Sequence, residues 1–283
     1  QGNLTHTAAS SGLLYARELT NSGLLTVSSN SLQVGSTGTG YNTVNTATGI
    51  MTATGSGSIL YLDGNVDNNG TLAAANSGQL RFRGNNTTAN LGQVTLATGG
   101  RALLTGNLDN TGATLIAPSG GPFELLGGTI TGGIIGSGAL AFSNSGGTVN
   151  NVTFQGLVNL PSGTYGYLSG TTTLSGGALS LTGSSFLYLS GLNAALSLDA
   201  DSSATGQLRI FPDGSAGSSL TNSGSLLHTT STGEIYAHTF SNLGTIAASA
   251  GTLALGSTTA GLVFTNQERS EERRVGKECR SRW

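Results

Sequence analysis

A repeat of about 22 residues runs through most of this 283-residue chain and limits what the chain can fold into. One half of the repeat reads apolar-x-Asn-x-Gly-x-apolar, and it recurs as LTNSGLL (19–25), VDNNGTL (66–72), LTNSGSL (220–226) and FSNLGTI (240–246). The other half is a short alternating run that opens with Gly, as in GSILYLDG (57–64), GQLRFRG (78–84), GRALLTG (100–106), GPFELLG (121–127), GTYGYLSG (163–170) and SSFLYLSG (184–191). Units this short cannot enclose a core alone, so successive units must stack on their neighbours.

The runs inside each unit predict strands. Each unit contains two or three runs of four to six residues in which apolar and polar side chains alternate, bounded by Gly, Asn and Ser. The sequence therefore predicts an all-β fold, a single-stranded, right-handed parallel β-helix of roughly 12 coils. Stacking at roughly 4.8 Å would give a rod on the order of 60 Å long. We expect the Asn of each N-x-G turn to adopt left-handed backbone and to bond its own turn. Stacked Asn, Ser and Thr are expected to pair from coil to coil.

The repeats of residues 12–266 resemble, in composition and period, those of bacterial β-solenoid surface proteins, namely autotransporter passengers and haemagglutinin-like adhesins. The resemblance implies export to the cell surface or the extracellular space, a rod-shaped passenger, and a role in adhesion or display. We expect residues 1–266 to be the solenoid part of a longer chain. The sequence lacks the G-G-x-G-x-D run of calcium-binding solenoids, so no metal or cofactor is expected.

The final residues, 267–283, differ sharply from the rest. They contain the only Cys, Lys and Trp and six of the eleven basic residues. Residues 269–283 resemble a conceptual translation of a sequencing adapter, so we expect 267–283 to be a disordered, non-native tail. Without 269–283 the net charge is −5, which leaves few cations for nucleic acid phosphates, and nucleic acid is not an expected partner. The apolar stretches are too short to span a bilayer, so no membrane insertion is expected.

Alternation assigns two faces to the Gly-opened strands. One set is apolar throughout and is predicted to point inward: Leu60, Leu62, Leu80, Phe82, Ala102, Leu104, Phe123, Leu125, Leu187, Leu189, Ile210 and Pro212. The other set contains charged residues, which would be costly to bury unpaired, and is predicted to face solvent. Its members before residue 130 are Ile59, Tyr61, Gln79, Arg81, Arg101, Leu103, Pro122 and Glu124. Gly166 would occupy an inward position, where an apolar side chain is expected.

The outward set becomes aromatic after residue 160. Tyr167, Tyr188, Phe211 and Tyr236 are predicted to form one column over four coils, and Tyr165, Phe186, Arg209 and Glu234 a second one, with Asp213 and His238 at its edge. Exposed aromatic groups rimmed by polar groups are typical of binding surfaces. Aromatic faces beside Arg and carboxylate suit sugar rings, so these eight residues are the candidate glycan-binding site. The alternative is an aromatic ladder that only stabilises stacked strands.

The sequence leaves other functions open. Parallel β-helices also serve as polysaccharide lyases and hydrolases, and the acid pairs available for such chemistry are Asp199 with Asp201 and Asp213 with Glu234. Arg209 is the only base near these acids, and we expect no enzyme activity. A third hypothesis is a self-associating scaffold, because the ends of a β-helix expose unpaired strand edges. The histidines are dispersed, and each is expected in a surface or turn position: His6, His228 and His238.

Overall fold

Three short strands form each of twelve complete coils in the computed structural model, which describes residues 2–38, 40–256 and 262–266. The first four coils contain β1 (Asn3–His6), β2 (Gly12–Leu14), β3 (Glu18–Asn21), β4 (Leu24–Val27), β5 (Ser31–Val34), β6 (Asn42–Asn45), β7 (Ile50–Ala53), β8 (Ile59–Leu62), β9 (Asn65–Asn68), β10 (Thr71–Ala74), β11 (Gln79–Phe82) and β12 (Asn85–Thr87).

A single helical turn precedes the next four coils. They contain α1 (Thr88–Leu91), β13 (Gln93–Leu96), β14 (Arg101–Leu104), β15 (Asn107–Asp109), β16 (Thr114–Leu115), β17 (Phe123–Leu125), β18 (Thr129–Thr131), β19 (Ile134–Ile135), β20 (Leu140–Phe142), β21 (Thr148–Asn150), β22 (Thr153–Phe154), β23 (Leu157–Leu160) and β24 (Tyr165–Ser169).

The last four coils are followed by one further strand. They contain β25 (Thr171–Leu174), β26 (Ala178–Leu181), β27 (Phe186–Leu189), β28 (Ala195–Leu198), β29 (Ser203–Gly206), β30 (Arg209–Pro212), β31 (Ser219–Asn222), β32 (Ser225–His228), β33 (Thr232–Ile235), β34 (Thr239–Asn242), β35 (Thr245–Ala248), β36 (Thr252–Leu255) and β37 (Val263–Asn266).

Except at two breaks, after β9 and after β13, each strand pairs in parallel with the strand three further along the chain, about 22 residues on. The solenoid therefore has three faces, and we call them the first, second and third face after the first, second and third strand of each coil. The second face is one continuous sheet of twelve strands from β2 to β35. The predicted all-β, parallel solenoid of about 12 turns is confirmed. Right-handed winding stays a prediction.

The other two faces are interrupted on either side of α1, the third face between the third and fourth coils and the first face between the fifth and sixth. The first-face sheet ends at β13 and resumes at β16, with Thr95 and Ser119 forming an isolated bridge across the break. The third-face sheet ends at β9 and resumes at β12, and there the Val66 N–H donates to the side-chain oxygen of Asn86 at 3.0 Å. Only the second-face sheet runs without a break from the coils before α1 to the coils after it.

Alternation places the apolar side chains inside. All the residues predicted to point inward are buried in one interior cluster except Pro212, which is half-buried because it ends β30 beside the exposed Asp213. The outward prediction is wrong for Leu103, which is 1% exposed. Leu103 pairs with Arg81 on one side and Glu124 on the other, and these long side chains cover it from outside the interior cluster.

Gly166 is inward as the alternation requires, and a neighbouring ring explains the missing side chain. A Cβ at Gly166 would lie 2.4 Å from the ring of Phe142, which is itself buried. The Phe142 ring fills the interior space that a side chain at this strand position would occupy. The register around Gly166 is therefore regular.

Asparagines at the ends of strands form buried ladders, and four of them belong to N-x-G turns: Asn21, Asn68, Asn222 and Asn242. Asn21 donates to the Asn45 side-chain oxygen at 2.8 Å, and Asn45 donates to that of Asn68 at 2.7 Å. A second ladder joins Asn222 to Asn242 and Asn242 to Asn266, each at 2.7 Å. The predicted coil-to-coil pairing of Asn is confirmed.

The left-handed backbone predicted for these asparagines is wrong, because they end strands and none of them has positive φ. Their side chains turn into the corner, where they satisfy turn carbonyls such as Gly23 O and Gly244 O. The glycine of the motif is required by close approach instead. A Cβ at Gly70 would lie 2.2 Å from the carbonyl oxygen of Gly49 in the preceding coil.

The sequence repeat shifts by one strand between the two halves. The Gly-opened strands β8, β11, β14 and β17 lie on the second face, whereas β24, β27, β30 and β33 lie on the third face. The N-x-G motif follows third-face strands in the first half and first-face strands in the second half. The Gly-opened strands therefore belong to two different sheets. The three sides carry strands of similar length and alternation, so the same motif fits any corner.

Candidate functional site

The eight residues predicted as a glycan-binding site lie together on the third face. Tyr167, Tyr188, Phe211 and Tyr236 occupy one row on β24, β27, β30 and the residue after β33. Tyr165, Phe186, Arg209 and Glu234 occupy the adjacent outward row. All eight are half-buried. We call them the aromatic ladder. Their predicted placement in two columns matches the structure, whereas glycan binding stays a prediction.

The rings of the aromatic ladder pack on each other along the rod. Tyr167 and Tyr188 are stacked with centroids 5.3 Å apart and planes 24° apart. Phe211 follows Tyr188 at 6.2 Å, and Tyr236 follows Phe211 at 5.5 Å in an edge-on arrangement. The faces of the inner rings are therefore turned toward neighbouring rings, and their edges are turned toward solvent. Contacts of this kind stabilise adjacent strands.

The second row places charge beside the rings. The Arg209 guanidinium carbon lies 4.0 Å from the centroid of the Phe186 ring, which is a cation–π contact. Arg209 and Glu234 are in register on neighbouring strands, yet Glu234 accepts a hydrogen bond from the Tyr236 hydroxyl at 3.3 Å. Burial and the charge of Glu234 raise the pKa of Tyr236, so its phenol stays protonated.

Three phenol hydroxyls of the aromatic ladder have no hydrogen-bond partner within the described part of the chain: Tyr165, Tyr167 and Tyr188. Burial, the neighbouring tyrosines and Asp213 raise the pKa of Tyr167. The Tyr167 hydroxyl therefore stays protonated, and all three hydroxyls can donate and accept hydrogen bonds. They offer a ligand hydrogen bonds at the ring edges, which differs from the stacking on open ring faces that the sequence suggested.

Asp213 and His238 lie at the ends of this region. Burial opposes ionisation of Asp213, but hydrogen bonds from the Ser215 N–H, the Ser190 hydroxyl and the Gly191 N–H lower its pKa to about 2. Asp213 is therefore a charged residue that closes the corner after β30. Nδ1 of His238 lies 2.8 Å from the Ser218 hydroxyl.

The remaining candidates do not converge. Asp199 and Asp201 are exposed in the turn between β28 and β29. His228 contradicts the predicted surface or turn position, because it is fully buried on β32, where its Nδ1 accepts the Leu208 N–H at 3.3 Å. The absence of a side chain at Gly233 leaves room for the imidazole. Within residues 2–38, 40–256 and 262–266, no three His, Cys, Asp or Glu side chains are placed to hold a metal ion.

The row that contains Tyr167 continues toward the N-terminus, beyond the residues that the sequence predicted. In register with Tyr167 toward the N-terminus lie Thr148, Thr129 and Asn107, and then Asn85. The signal was available as an Asn or Thr at the first position of successive third-face strands. It was missed because those strands do not open with the Gly used to align the units.

No protein family model and no curated protein matches the chain. Among solved structures, the chain is similar to a hyper-glycosylated TibA fragment, residues 55–350, whose glycosylation is catalysed by TibC. The identity is 17%, the TM-score is 0.34, and the match covers 93% of this chain and 97% of that one. The described residues contain no helix with the length and apolar character needed to cross a membrane. The tail predicted for 267–283, and its resemblance to an adapter sequence, lie outside the described residues.

Proposed function

We propose that this chain is a structural and adhesive β-solenoid segment of a large exported bacterial surface protein, and that the aromatic ladder contacts glycans. The observation that carries the proposal is the aromatic ladder itself, which places six half-buried rings together with Arg209 and Glu234 on four consecutive coils, beside the exposed Asp213. A ladder needed only for strand packing does not require hydroxyl groups, yet three of its rings are tyrosines whose hydroxyls have no hydrogen-bond partner among the described residues.

We also propose that the segment is not catalytic. Glu234 pairs with Arg209, and Asp213 lies four positions beyond Arg209 along the strand direction. Those positions separate the two acids by about 13 Å at roughly 3.3 Å per residue. Glycosidase carboxyl pairs are about 5 to 9.5 Å apart, so Asp213 and Glu234 are a poor pair for such chemistry.

A glycan array probed with the full chain tests the proposal. We expect binding to a subset of glycans, and we expect Tyr188→Ala and Phe211→Ala each to weaken it at least about tenfold, since each removes the centre of the ladder. Leu192→Ala is the matched control, because Leu192 is 72% exposed and lies off the ladder. Tyr188→Phe keeps the packing and removes one hydroxyl, so it separates ladder stability from recognition.

Circular dichroism must first show that each variant keeps the solenoid fold, so that a loss of glycan affinity is not caused by unfolding. Absence of binding to every glycan by the folded chain would overturn the adhesive part of the proposal. Release of reducing ends or unsaturated products from a polysaccharide would overturn the non-catalytic part.

A further inference from the structure

The third face carries one uncharged row that is much longer than the aromatic ladder. From the second coil to the eleventh, its outward position is held by four asparagines, two threonines and then the four aromatic residues Tyr167, Tyr188, Phe211 and Tyr236. The polar members are Asn42, Asn65, Asn85, Asn107, Thr129 and Thr148. We call these six the amide row. Ten coils at roughly 4.8 Å give the combined row a length of about 43 Å.

We propose that the amide row and the aromatic ladder form a single track for a neutral, extended polysaccharide lying parallel to the rod axis. This inference rests on the proposed glycan contact and names its ligand class. The coil spacing is close to the advance per sugar of an extended β-linked chain. Successive sugars would therefore meet uncharged side chains at the same strand position of successive coils.

The amide row offers hydrogen bonds that suit hydroxyl groups. Its four asparagines are exposed and bond in pairs, Asn65 to Asn42 at 3.3 Å and Asn107 to Asn85 at 2.8 Å. Each amide has two N–H donors and an acceptor oxygen, so every pair keeps donors and an acceptor for a ligand. Held in register by the strands, these groups lose little freedom on binding.

A small cavity interrupts the amide row between its two asparagine pairs. It lies at the break of the third-face sheet, has a volume of about 110 Å³, and is lined by Asn65, Asn85, Tyr41 and Gly64. Its described lining contains no charged side chain. A cavity of this size, with two amides and a phenol ring at its wall, fits a neutral substituent such as a hydroxymethyl group.

Charge on the neighbouring row argues against an anionic ligand. The combined row itself contains no charged residue. Of the two outward rows that flank it, one carries three exposed carboxylates, Asp67, Asp109 and Asp213, and the other carries Arg209 and Glu234. Hydrogen bonds from the side chain and backbone of Thr111 lower the pKa of Asp109, which keeps it ionised. Sulfated or carboxylated chains would be repelled where the track passes these carboxylates.

Calorimetric titration of the full chain with mixed-linkage β-glucan fragments tests the track. A trisaccharide bound at the aromatic ladder is too short to reach the asparagines of the amide row. A nonasaccharide bound at the ladder is long enough to reach them. We expect the nonasaccharide to bind at least about tenfold more tightly, and its carboxymethylated form to bind at least about tenfold more weakly than the neutral one.

A double variant, Asn65→Ala with Asn85→Ala, should lower the affinity for the nonasaccharide to that for the trisaccharide and leave trisaccharide binding unchanged. Asn159→Ala is the matched control, because Asn159 is an exposed strand residue on the second face. Equal affinity for both lengths, tighter binding of the carboxymethylated form, or no effect of the double variant would overturn the track and leave the aromatic site standing. Failure of every fragment to bind would overturn both for this ligand class.

Discussion

At the scale of single residues, buried polar groups are tolerated because they hydrogen-bond from one coil to the next. Asn45 is fully buried, yet its side chain accepts from Asn21 and donates to Asn68 and to turn carbonyls. Asp63 is also fully buried, and Arg83 binds both of its carboxylate oxygens, at 2.6 and 2.7 Å. The Arg83 guanidinium at the same time covers the Tyr61 ring at 4.0 Å. These contacts explain how an apolar interior includes amides and a carboxylate.

Asn45→Ala should lower the free energy of unfolding by about 2 kcal/mol, because it leaves buried partners in two coils unsatisfied. Urea titration followed by circular dichroism measures the change. Asn107→Ala removes one exposed hydrogen bond and should cost no more than about 0.5 kcal/mol. Equal effects of the two substitutions would contradict the role assigned to the buried ladder.

Asp213 should give the solenoid a local dependence on pH. Its pKa is about 2 in the folded chain against a model-compound value of 3.8, so the stability it adds is present above pH 3.8 and is lost as the pH falls toward 2. We expect Asp213→Asn to flatten the decrease of Tm over this interval. Thermal melts of both proteins test this, with Asp201→Asn as a control at another exposed turn. Parallel curves for the parent and Asp213→Asn would refute the expectation.

At the scale of elements, neighbouring strands interlock through complementary side-chain volumes. Phe142 on β20 fills the space at Gly166 on β24, and Tyr165 lies against Gly146, where a Cβ would be 2.2 Å from its ring. In each pair, the aromatic ring of one coil occupies space that only a glycine in a neighbouring coil leaves free. Such pairs fix the register between coils more specifically than alternation alone.

Gly166→Ala should destabilise the protein by about 2 kcal/mol, because the new methyl group overlaps the Phe142 ring. The φ of Gly166 is not positive, so backbone strain does not contribute. Phe142→Leu should reduce the cost of Gly166→Ala, and a double-mutant cycle with urea unfolding measures this coupling. Additive effects would show that the two residues do not share the space.

At the scale of the whole molecule, the solenoid consists of two stacks joined mainly through the second face. The third-face sheet is interrupted between the third and fourth coils, and the first-face sheet between the fifth and sixth, where a cavity of about 390 Å³ opens beside Leu91, Val94 and Phe123. In repeat proteins stability comes from interfaces between neighbouring units, so a weak interface separates cooperative blocks. The fourth and fifth coils, which lie between the two breaks, form such an interface.

Hydrogen exchange should therefore be fastest, among the described interior strands, in residues 85–97 and 114–119. Urea unfolding should deviate from a single two-state transition, because the stacks on either side can open separately. Exchange followed by mass spectrometry locates the boundary. Uniform protection from β4 to β34 would show that the second face alone makes the stack cooperative.

The sequence by itself determined the parallel solenoid, the alternation and the two columns of the aromatic ladder. Each depends on the spacing of residues within one repeat, and that spacing recurs about every 22 residues. Alternation could not predict burial of Leu103, because the covering side chains of Arg81 and Glu124 come from other coils. Nor could it place His228 inside, since the space it occupies is left by Gly233 across the corner.

Only the tertiary structure decided which face each strand joins. Gly-opened strands lie on the second face before residue 130 and on the third face after residue 160. The amide row and the aromatic ladder share a row for this reason, although their sequence motifs differ. All three sides accept strands of the same length and alternation, so a local motif carries no information about its side. The side is set by how many strands the chain has already wound, and that number is a property of the complete stack.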